Sequence, residues 1–307
     1  MNGSTGVPRS VVVGGGAVGG ALARLLTGSG YHVDMVDTAV DSVARHMPPG
    51  DAVQFAVGDI TDPTPALLAL IDRAEMVVLA VPEQVALAAM DRVVGAMADG
   101  ALLVDTLSVK SRFVPAVQAA APHLEVVSLN PMFTPSLGVA GQSFAVVMVH
   151  DGPRAQNLLW MIGEWGGRVV RVTAAEHDRA TAAVQVLPYA AVLAFGLALA
   201  GLEMDVADLD ALAPLPYRTL LGLLARIVSG TPEVYWEVQS ANPDGSRARA
   251  ELADALRWLA EMVGSDDQAG FGSTVKHLRD FLGSELEHHR EICARVFATI
   301  DRARDHT

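Results

Sequence analysis

The first half of the chain alternates short apolar runs with stretches of helical periodicity. The apolar runs, most of them without polar alternation, predict strands at Val11–Val13, His32–Val36, Val53–Val57, Met76–Val81, Ala101–Asp105, Leu124–Leu129, Phe144–Val149 and Arg168–Val172. The periodic stretches predict helices at Ala17–Leu26, Glu83–Met97, Val109–Ala121 and Pro153–Trp165, and a further helix that Asp62-Pro63-Thr64-Pro65 opens and that runs through Ala74. Because the strands are apolar on both faces and alternate with helices, we expect a mainly parallel sheet covered on both sides.

The pattern changes near residue 174, after which strand signals largely stop. Helices are predicted at Ala175–Gly201, Val206–Ala213, Pro216–Ser229, Pro232–Ser240, Ser246–Val263 and Gln268–Arg302. The most apolar run, Val186–Gly201, contains Pro188 and falls short of the ~20 residues that a membrane span needs. We therefore expect a buried helix there and no membrane partner. A long Ala- and Leu-rich helical half needs cover for its apolar faces, which packing on the first half and on a second subunit would provide.

These patterns predict two domains, which a chain of 307 residues is long enough to form. Residues 1–173 are expected to form a Rossmann-like α/β domain with a mainly parallel sheet. Within it, residues 1–9 are a loose lead-in with no apolar core, and so no signal peptide. Residues 174–307 are expected to form an all-α domain.

A glycine-rich turn follows the first strand. Gly14, Gly16 and Gly19 have G-x-G-x-x-G spacing between Val11–Val13 and the first helix. In a dinucleotide-binding turn these glycines allow the tight turn, the approach of a pyrophosphate and close packing of helix on strand. The helix N-terminus offers unpaired N–H groups to the phosphates. Asp37 ends the second strand, where a ribose 2′-hydroxyl needs an acceptor.

Composition excludes several classes of partner. A net charge of −13 argues against nucleic acid and anionic membranes, and it means that an anionic substrate must be held by a few local cations. The single cysteine, Cys293, excludes an intrachain disulfide and suits a reducing compartment, so a cytoplasmic location is expected. No metal site is predicted.

Chemistry-bearing residues follow the strands, where parallel sheets bind their ligands. In the segment Asp105–Lys110, Ser108 is well placed to cap the next helix, a role that would explain this serine without any substrate. Lys110 in the first helical turn opposes the helix dipole, which suggests another use. Pro131 forces Asn130 into an extended conformation, so that Asn130 either points into the site or closes a turn.

The ordered set of motifs resembles the prephenate/arogenate dehydrogenase family. It comprises the glycine turn, the acidic end of strand two, Val81-Pro82, Ser-Val-Lys at 108–110, Asn-Pro-Met-Phe-x-Pro from Asn130, Glu176-His177-Asp178 and Tyr217-Arg218. The segments occur in the family's order and span residues 10 to 300. The resemblance implies a nucleotide-binding domain, a helical dimerisation domain that forms a homodimer, and oxidative decarboxylation of a dianionic cyclohexadiene with NAD or NADP.

Site residues are implied by position in the family pattern. Asn130, Ser108 and Lys110 would lie at the catalytic centre beside the nicotinamide. Arg218 would bind a substrate carboxylate, for which its planar fork suits better than a lysine, although an arginine there is otherwise a surface charge. The remaining substrate-binding residues would be Thr134, Gln185 and Tyr217. The dinucleotide would be held by Gly14, Gly16, Ala17, Val18, Gly19, Asp37, Val81, Pro82 and Thr106. Asp37 favours NAD, because a 2′-phosphate would meet a like charge and no arginine follows directly.

One departure from the family pattern concerns the base. The family has histidine before Pro-Met-Phe, whereas this chain has Asn130. In prephenate the C4 hydroxyl must lose its proton as hydride leaves C4, and a neutral imidazole can accept it. An amide cannot act as a base at neutral pH. His123, His150 and His177 are possible replacements without an evident place.

A substrate with an amino group at C4 would not need that base. The neutral nitrogen supports the developing cation, and loss of carbon dioxide gives an aniline directly. The Asn130 oxygen would accept an N–H bond from the amine. This interpretation predicts a 4-amino-4-deoxyprephenate dehydrogenase that forms 4-aminophenylpyruvate for aminophenylalanine-derived natural products. The alternatives are a prephenate or arogenate dehydrogenase, a catalytically dead nucleotide-binding homologue and a simple hydroxyacid dehydrogenase, for which no substrate-side base is found.

Overall fold

The computed structural model describes residues 6–39, 53–230 and 232–304. Contacts divide the chain into two compact units, Met1–Ala180 and Thr181–Thr307. The division falls slightly after the expected boundary at residue 173, because His177 and Asp178 make their contacts within the first unit. The first five residues of the expected lead-in and the Pro- and Gly-containing stretch 40–52 lie outside the described residues.

The first unit is built on one eight-stranded sheet. Its strands are β1 Arg9–Val13, β2 His32–Asp37, β3 Val53–Val57, β4 Met76–Leu79, β5 Leu102–Asp105, β6 Glu125–Pro131, β7 Ser143–His150 and β8 Arg168–Arg171. They lie in the order β3-β2-β1-β4-β5-β6-β7-β8. Every neighbouring pair is parallel except β6 and β7, which are antiparallel. The expected mainly parallel, Rossmann-like sheet is therefore confirmed.

Helices cover both faces of this sheet. They are α1 Ala17–Gly28, α2 Pro65–Asp72, α3 Glu83–Ala96, α4 Phe113–Ala120 and α5 Pro153–Glu164. In β1, Val11 and Val13 belong to the apolar cluster on one face, and Val12 belongs to the cluster on the other. Successive strand residues point to opposite faces, so a strand buried on both faces has no polar alternation. This packing is the physical reason why the hydrophobic runs predicted buried strands such as β1, β4 and β5 correctly.

The second unit is helical. The chain leads into it through α6 Ala174–Thr181 and a π-helical turn, Ala182–Val186. Its helices are α7 Leu187–Gly201, α8 Val206–Asp210, α9 Leu215–Val228, α10 Pro232–Ala241, α11 Gly245–Gly264, α12 Gln268–Leu282 and α13 Leu286–Arg304. The predicted helix Gln268–Arg302 is interrupted after α12, because Gly283 takes a left-handed φ of +51° and starts a 3₁₀ turn. Left-handed backbone suits glycine and ends regular helix.

The apolar helix α7 does not match the buried helix that was expected. Val192 is its one buried residue, and Leu197 is 77% exposed. Together with α6 and the π turn, it forms a 28-residue helical stretch, Ala174–Gly201, that is long and apolar enough to cross a membrane by length and composition alone. Core helices of water-soluble proteins pass the same test.

Candidate active site

The glycine turn between β1 and α1 has the backbone geometry that a bound dinucleotide needs. Gly14 has φ +103°, and a Cβ there would lie 2.1 Å from the Ala80 carbonyl oxygen. A Cβ on Gly19 would lie 1.9 Å from the Gly14 oxygen. In contrast, a Cβ on Gly16 would meet nothing within 4 Å. Gly14 and Gly19 thus allow the turn and the close packing, whereas Gly16 borders open space at the start of α1.

Asp37 lies beside this turn. Its Oδ2 accepts a hydrogen bond of 2.6 Å from the Gly15 N–H, and its Oδ1 accepts one of 2.9 Å from the Ala39 N–H. These two bonds fix the carboxylate at the carboxyl end of β2. Each carboxylate oxygen keeps a further acceptor position for a ligand hydroxyl.

The neighbouring loops complete a surface that fits a dinucleotide. α1 starts at Ala17 and Val18 without a side-chain cap, so its first N–H groups remain available to an anion. The Val81 side chain would lie 3.2 Å from a Cβ on Gly14, and Pro82 directly precedes α3. The Thr106 hydroxyl donates to the Leu79 carbonyl at 3.4 Å. Residues from the ends of β1, β4 and β5 therefore meet at one edge of the sheet.

At the end of β6, Asn130 takes part in a buried chain of polar side chains. Its amide Nδ2 lies 3.0 Å from His177 Nε2, and His177 Nδ1 lies 2.8 Å from Asp178 Oδ1. The three residues are between 1% and 5% exposed. An amide nitrogen can only donate, so Nε2 must be the acceptor. The imidazole therefore carries its proton on Nδ1, facing Asp178.

Asp178 connects this series of buried polar side chains to the loop after β5. Its carboxylate accepts the Lys110 and Ser111 backbone N–H groups, each at 2.9 Å, and also the Ser111 hydroxyl. Burial opposes ionisation of Asp178, but the hydrogen bonds from His177, Ser111 and the two backbone amides outweigh it, so its pKa lies below the ordinary value. Asp178 is thus an anion that holds both His177 and the loop.

The Lys110 side chain does not reach a ligand surface. It is 0% exposed, and its ammonium donates to Asp105 Oδ1 and to the Leu129 carbonyl, both at 2.9 Å. Burial lowers the pKa of Lys110, an effect that the Asp105 carboxylate opposes. Lys110, expected at the catalytic centre beside the nicotinamide, is instead enclosed by protein, where it supports the backbone next to Asn130.

Ser108 also differs from its predicted role as a helix cap. α4 begins at Phe113 with Arg112 before it, so Ser108 lies in the loop and caps nothing. The loop takes this course because Asp178 binds the N–H groups of Lys110 and Ser111, which helical capping would otherwise engage. Ser108 is half-buried at the same sheet edge as Asn130. Thr134 precedes the 3₁₀ turn Pro135–Leu137 that follows β6.

Three expected substrate ligands belong to the second unit. Gln185 lies in the π turn, and Tyr217 and Arg218 lie in the first turn of α9. Gln185 Oε1 and the Tyr217 hydroxyl are buried without a hydrogen-bond partner among the described residues. Unpartnered buried polar atoms are uncommon, and π turns are frequent at functional sites. Arg218 Nε donates to the Ala213 carbonyl at 3.2 Å.

Comparisons with known proteins identify the family. A prephenate dehydrogenase dimerization domain model matches residues 173–278, and a TrkA-N domain model matches residues 10–94. The chain is 44% identical over 301 residues to 4-amino-4-deoxyprephenate dehydrogenase from Streptomyces pristinaespiralis, a match that covers 98% of this chain and 100% of that protein. The chain belongs to the prephenate dehydrogenase family.

More distant members of this family share the fold. The T-protein of Haemophilus influenzae is 25% identical over 286 residues, which are 92% of this chain and 69% of that protein. The structure of prephenate dehydrogenase from Aquifex aeolicus with hydroxyphenyl propionate and NAD+ matches with a TM-score of 0.69 and 17% identity, covering 90% of this chain and 98% of that one. Synechocystis arogenate dehydrogenase matches with a TM-score of 0.63 and 20% identity, covering 91% and 99%.

Within this prephenate dehydrogenase family member, sequence reasoning missed the partner of Asn130. The Glu176-His177-Asp178 motif marks His177 and Asp178 without giving them a position in the site, and it gives no signal for Ser111. The motif itself is the available signal, because it sets His177 and Asp178 within a polar run, Glu176 to Arg179, at the start of a predicted helix that is apolar further on. Among the described residues, no group of three or more His, Cys, Asp or Glu side chains could hold a metal ion.

Proposed function

We propose that this chain catalyses the NAD-dependent oxidative decarboxylation of 4-amino-4-deoxyprephenate to 4-aminophenylpyruvate. The observation that carries the proposal is the amide of Asn130, whose nitrogen is engaged by His177 where the family pattern has a catalytic base. The Asn130 side-chain oxygen has no hydrogen-bond partner among the described residues, and it is not fully buried. A ligand can therefore reach it. The similarity to 4-amino-4-deoxyprephenate dehydrogenase from Streptomyces pristinaespiralis supports this substrate.

The chemistry suits an acceptor that is not a base. A bound nicotinamide supplies the hydride acceptor for C4. As the hydride leaves, the neutral C4 nitrogen shares its lone pair with the ring, and the C1–carboxylate bond then breaks with its electron pair moving into the ring. The products are carbon dioxide and an aromatic amine, so no proton is removed in this step. Asn130 would orient the amine through its oxygen, where a hydroxyl substrate would need a base.

The remaining substrate contacts are proposed at the positions that match the family pattern. The guanidinium of Arg218 supplies a two-donor fork for one carboxylate, a local cation that this acidic protein needs. The unpartnered polar atoms of Gln185 and Tyr217 suit further substrate contacts. On the first unit, substrate contacts are proposed for Ser108, in the loop after β5, and for Thr134, which precedes the 3₁₀ turn after β6.

NAD is the proposed cofactor in preference to NADP. The Asp37 carboxylate is held by the Gly15 and Ala39 N–H groups, where it can accept hydrogen bonds from both ribose hydroxyls. A 2′-phosphate in that place would meet a like charge. The glycine turn and the uncapped start of α1 would hold the pyrophosphate.

A cytoplasmic homodimer is the proposed assembly. The match to a dimerization domain covers residues 173–278, which include the exposed apolar helix α7. Trp236 and Phe281, also in the second unit, are 71% and 79% exposed. Apolar surface of this kind needs cover, and a second copy would provide it. The exposed free thiol of Cys293 suits a reducing cytosol.

The deciding experiment measures NADH formation with 4-amino-4-deoxyprephenate, with prephenate and with arogenate at equal concentrations. We expect kcat/KM to be at least tenfold higher for the amino substrate. Higher kcat/KM for prephenate or arogenate would contradict the proposal and support the tyrosine-pathway alternative. No turnover of any of the three, with NAD still bound, would support a non-catalytic homologue.

A variant at position 130 tests the carrying observation. Asn130→His restores the family residue and should raise prephenate turnover, since a placed base contributes ~10²–10⁴ in rate. Asn130→Gln, which keeps the amide but lengthens the side chain, is the matched control and should not raise prephenate turnover. Unchanged prephenate activity in Asn130→His would remove Asn130 as the residue that selects the substrate.

The geometry argues against His177 as a replacement base in a prephenate dehydrogenase. Its Nε2 lone pair accepts the Asn130 N–H, and its Nδ1 proton faces Asp178. Both nitrogens are therefore engaged. A base needs a lone pair free for the substrate proton.

A further inference from the structure

An unrestrained asparagine amide would be an ambiguous group in this site. Oxygen and nitrogen occupy equivalent positions at the end of the side chain, so rotation by about 180° exchanges an acceptor for a donor. A donor facing the amino group of the substrate would repel its N–H bonds. Recognition of an amine by Asn130 therefore requires something that fixes the orientation of the amide.

His177 meets this requirement. With its proton on Nδ1, its Nε2 accepts only from the nitrogen of the Asn130 amide, at 3.0 Å. A rotated amide would place oxygen against the Nε2 lone pair, which is unfavourable in a buried position where water cannot compensate. The amide oxygen is thus the atom left for a ligand.

The orientation of His177 is fixed in turn by Asp178. Asp178 Oδ1 lies 2.8 Å from His177 Nδ1 and accepts its N–H, and it also accepts the Lys110 backbone N–H. The backbone N–H and the hydroxyl of Ser111 donate to Asp178 Oδ2. A carboxylate with these partners stays anionic, so it keeps the imidazole proton on Nδ1. From the loop after β5 to Asn130, each hydrogen bond in this series therefore pairs one donor with one acceptor.

We propose that His177 is a positioning residue that sets the amide of Asn130 with its oxygen toward the amino group of the substrate, and so acts on specificity without touching the substrate. This inference rests on the proposed function. It assigns the buried His177–Asp178 pair a role beyond stability: the pair converts an ambiguous amide into a hydrogen-bond acceptor of fixed direction.

Two substitutions of His177 separate its two hydrogen bonds. In His177→Asn, the side-chain amide ends near the position of Nδ1, so a donor to Asp178 is kept and the acceptor for Asn130 is lost. In His177→Gln, an amide oxygen reaches the position of Nε2 and can again accept from Asn130. We expect His177→Asn to lower kcat with 4-amino-4-deoxyprephenate about tenfold, and His177→Gln to recover most of that loss. The KM for NAD should stay within twofold in both variants.

A double-mutant cycle with Asn130→Ala tests whether His177 acts through Asn130. If it does, His177→Asn should change kcat less than twofold in the Asn130→Ala background. A full tenfold loss in that background would overturn the proposal, because it would show a role independent of the amide. Equal losses in His177→Asn and His177→Gln, matched by equal falls in Tm, would indicate a structural role and would also overturn it.

Nuclear magnetic resonance tests the orientation without any turnover. In ¹⁵N-labelled protein, the side-chain NH₂ pair of Asn130 is identified by its disappearance in Asn130→Ala. That pair should shift strongly in His177→Asn and little in His177→Gln, and an unshifted pair in His177→Asn would contradict the inference. A wild-type enzyme that prefers prephenate would refute the proposed function, while this measurement would still decide whether His177 orients the amide.

Discussion

The glycine turn and the Asn130 cluster lie at the same edge of one sheet but are built from different groups. The glycine turn consists of backbone: Gly14 and Gly19 are required because a Cβ would meet a carbonyl oxygen at 2.1 and 1.9 Å. The Asn130 cluster consists of side chains that are buried and satisfy one another. A backbone site recognises what all dinucleotides share. In a cluster of side chains, a single substitution can change the chemistry that the site favours.

The largest effect is expected at the buried ion pair beneath the cluster. Lys110→Met would leave the buried Asp105 carboxylate without its ammonium partner, which typically costs ~3–5 kcal/mol of unfolding free energy. Urea unfolding followed by circular dichroism measures this change. Lys276→Met, at an exposed position of α12, is the control and should stay within ~0.5 kcal/mol. Equal stability of both variants would show that the Lys110–Asp105 pair does not support this edge.

In the glycine turn, Gly14→Ala and Gly16→Ala should separate folding from cofactor binding. Gly14→Ala forces a Cβ against the Ala80 oxygen at a positive φ, so both Tm and NAD affinity should fall, the affinity more than about 100-fold. Gly16→Ala has open space around its Cβ, so Tm should hold while NAD affinity falls. Calorimetric titration and thermal melts measure the two quantities. Gly28→Ala, at the end of α1 with similar open space, should change neither.

A smaller effect concerns the choice of dinucleotide. Asp37→Ser removes the charge that is proposed to accept from the ribose, and hydrogen bonds to charged groups contribute ~1.5–3 kcal/mol. The KM for NAD should therefore rise about tenfold or more, and the preference for NAD over NADP should shrink. The ratio of kcat/KM for the two cofactors provides its own control. An unchanged ratio would mean that Asp37 does not discriminate between them.

The smallest effect is a pH dependence of stability at the cluster. The pKa of Asp178 in the folded chain lies below the ordinary value of 3.8, so the contribution of its ionised form is fully present above that value and is lost as pH falls through the folded pKa. Asp178→Asn should therefore flatten the fall of unfolding free energy as the pH drops from 5 through the folded pKa of Asp178. Urea titrations across this range measure the difference. Parallel curves for wild type and variant would contradict the assignment.

Much of the nucleotide half of the site could be predicted because its signals are local. The turn needs a positive φ, a close backbone approach and a helix start within a few residues of one another. The spacing of Gly14, Gly16 and Gly19 is therefore enough to predict it. Helix ends were predicted less well: Ser108 resembles a cap, yet α4 begins at Phe113. Ser108 does not cap the helix, because the carboxylate of Asp178, far along the chain, accepts the N–H groups of Lys110 and Ser111.

The sequence by itself determined the parallel sheet, the glycine turn with Asp37, the helical second half and the unusual amide at Asn130. Tertiary structure alone decided that His177 meets that amide, that Lys110 is buried against Asp105 and that Val192 is the one buried residue of α7. The physical reason is range. Periodicity and turn geometry depend on neighbours in sequence, whereas a hydrogen bond between residues 47 apart depends on the order in which strands and helices pack.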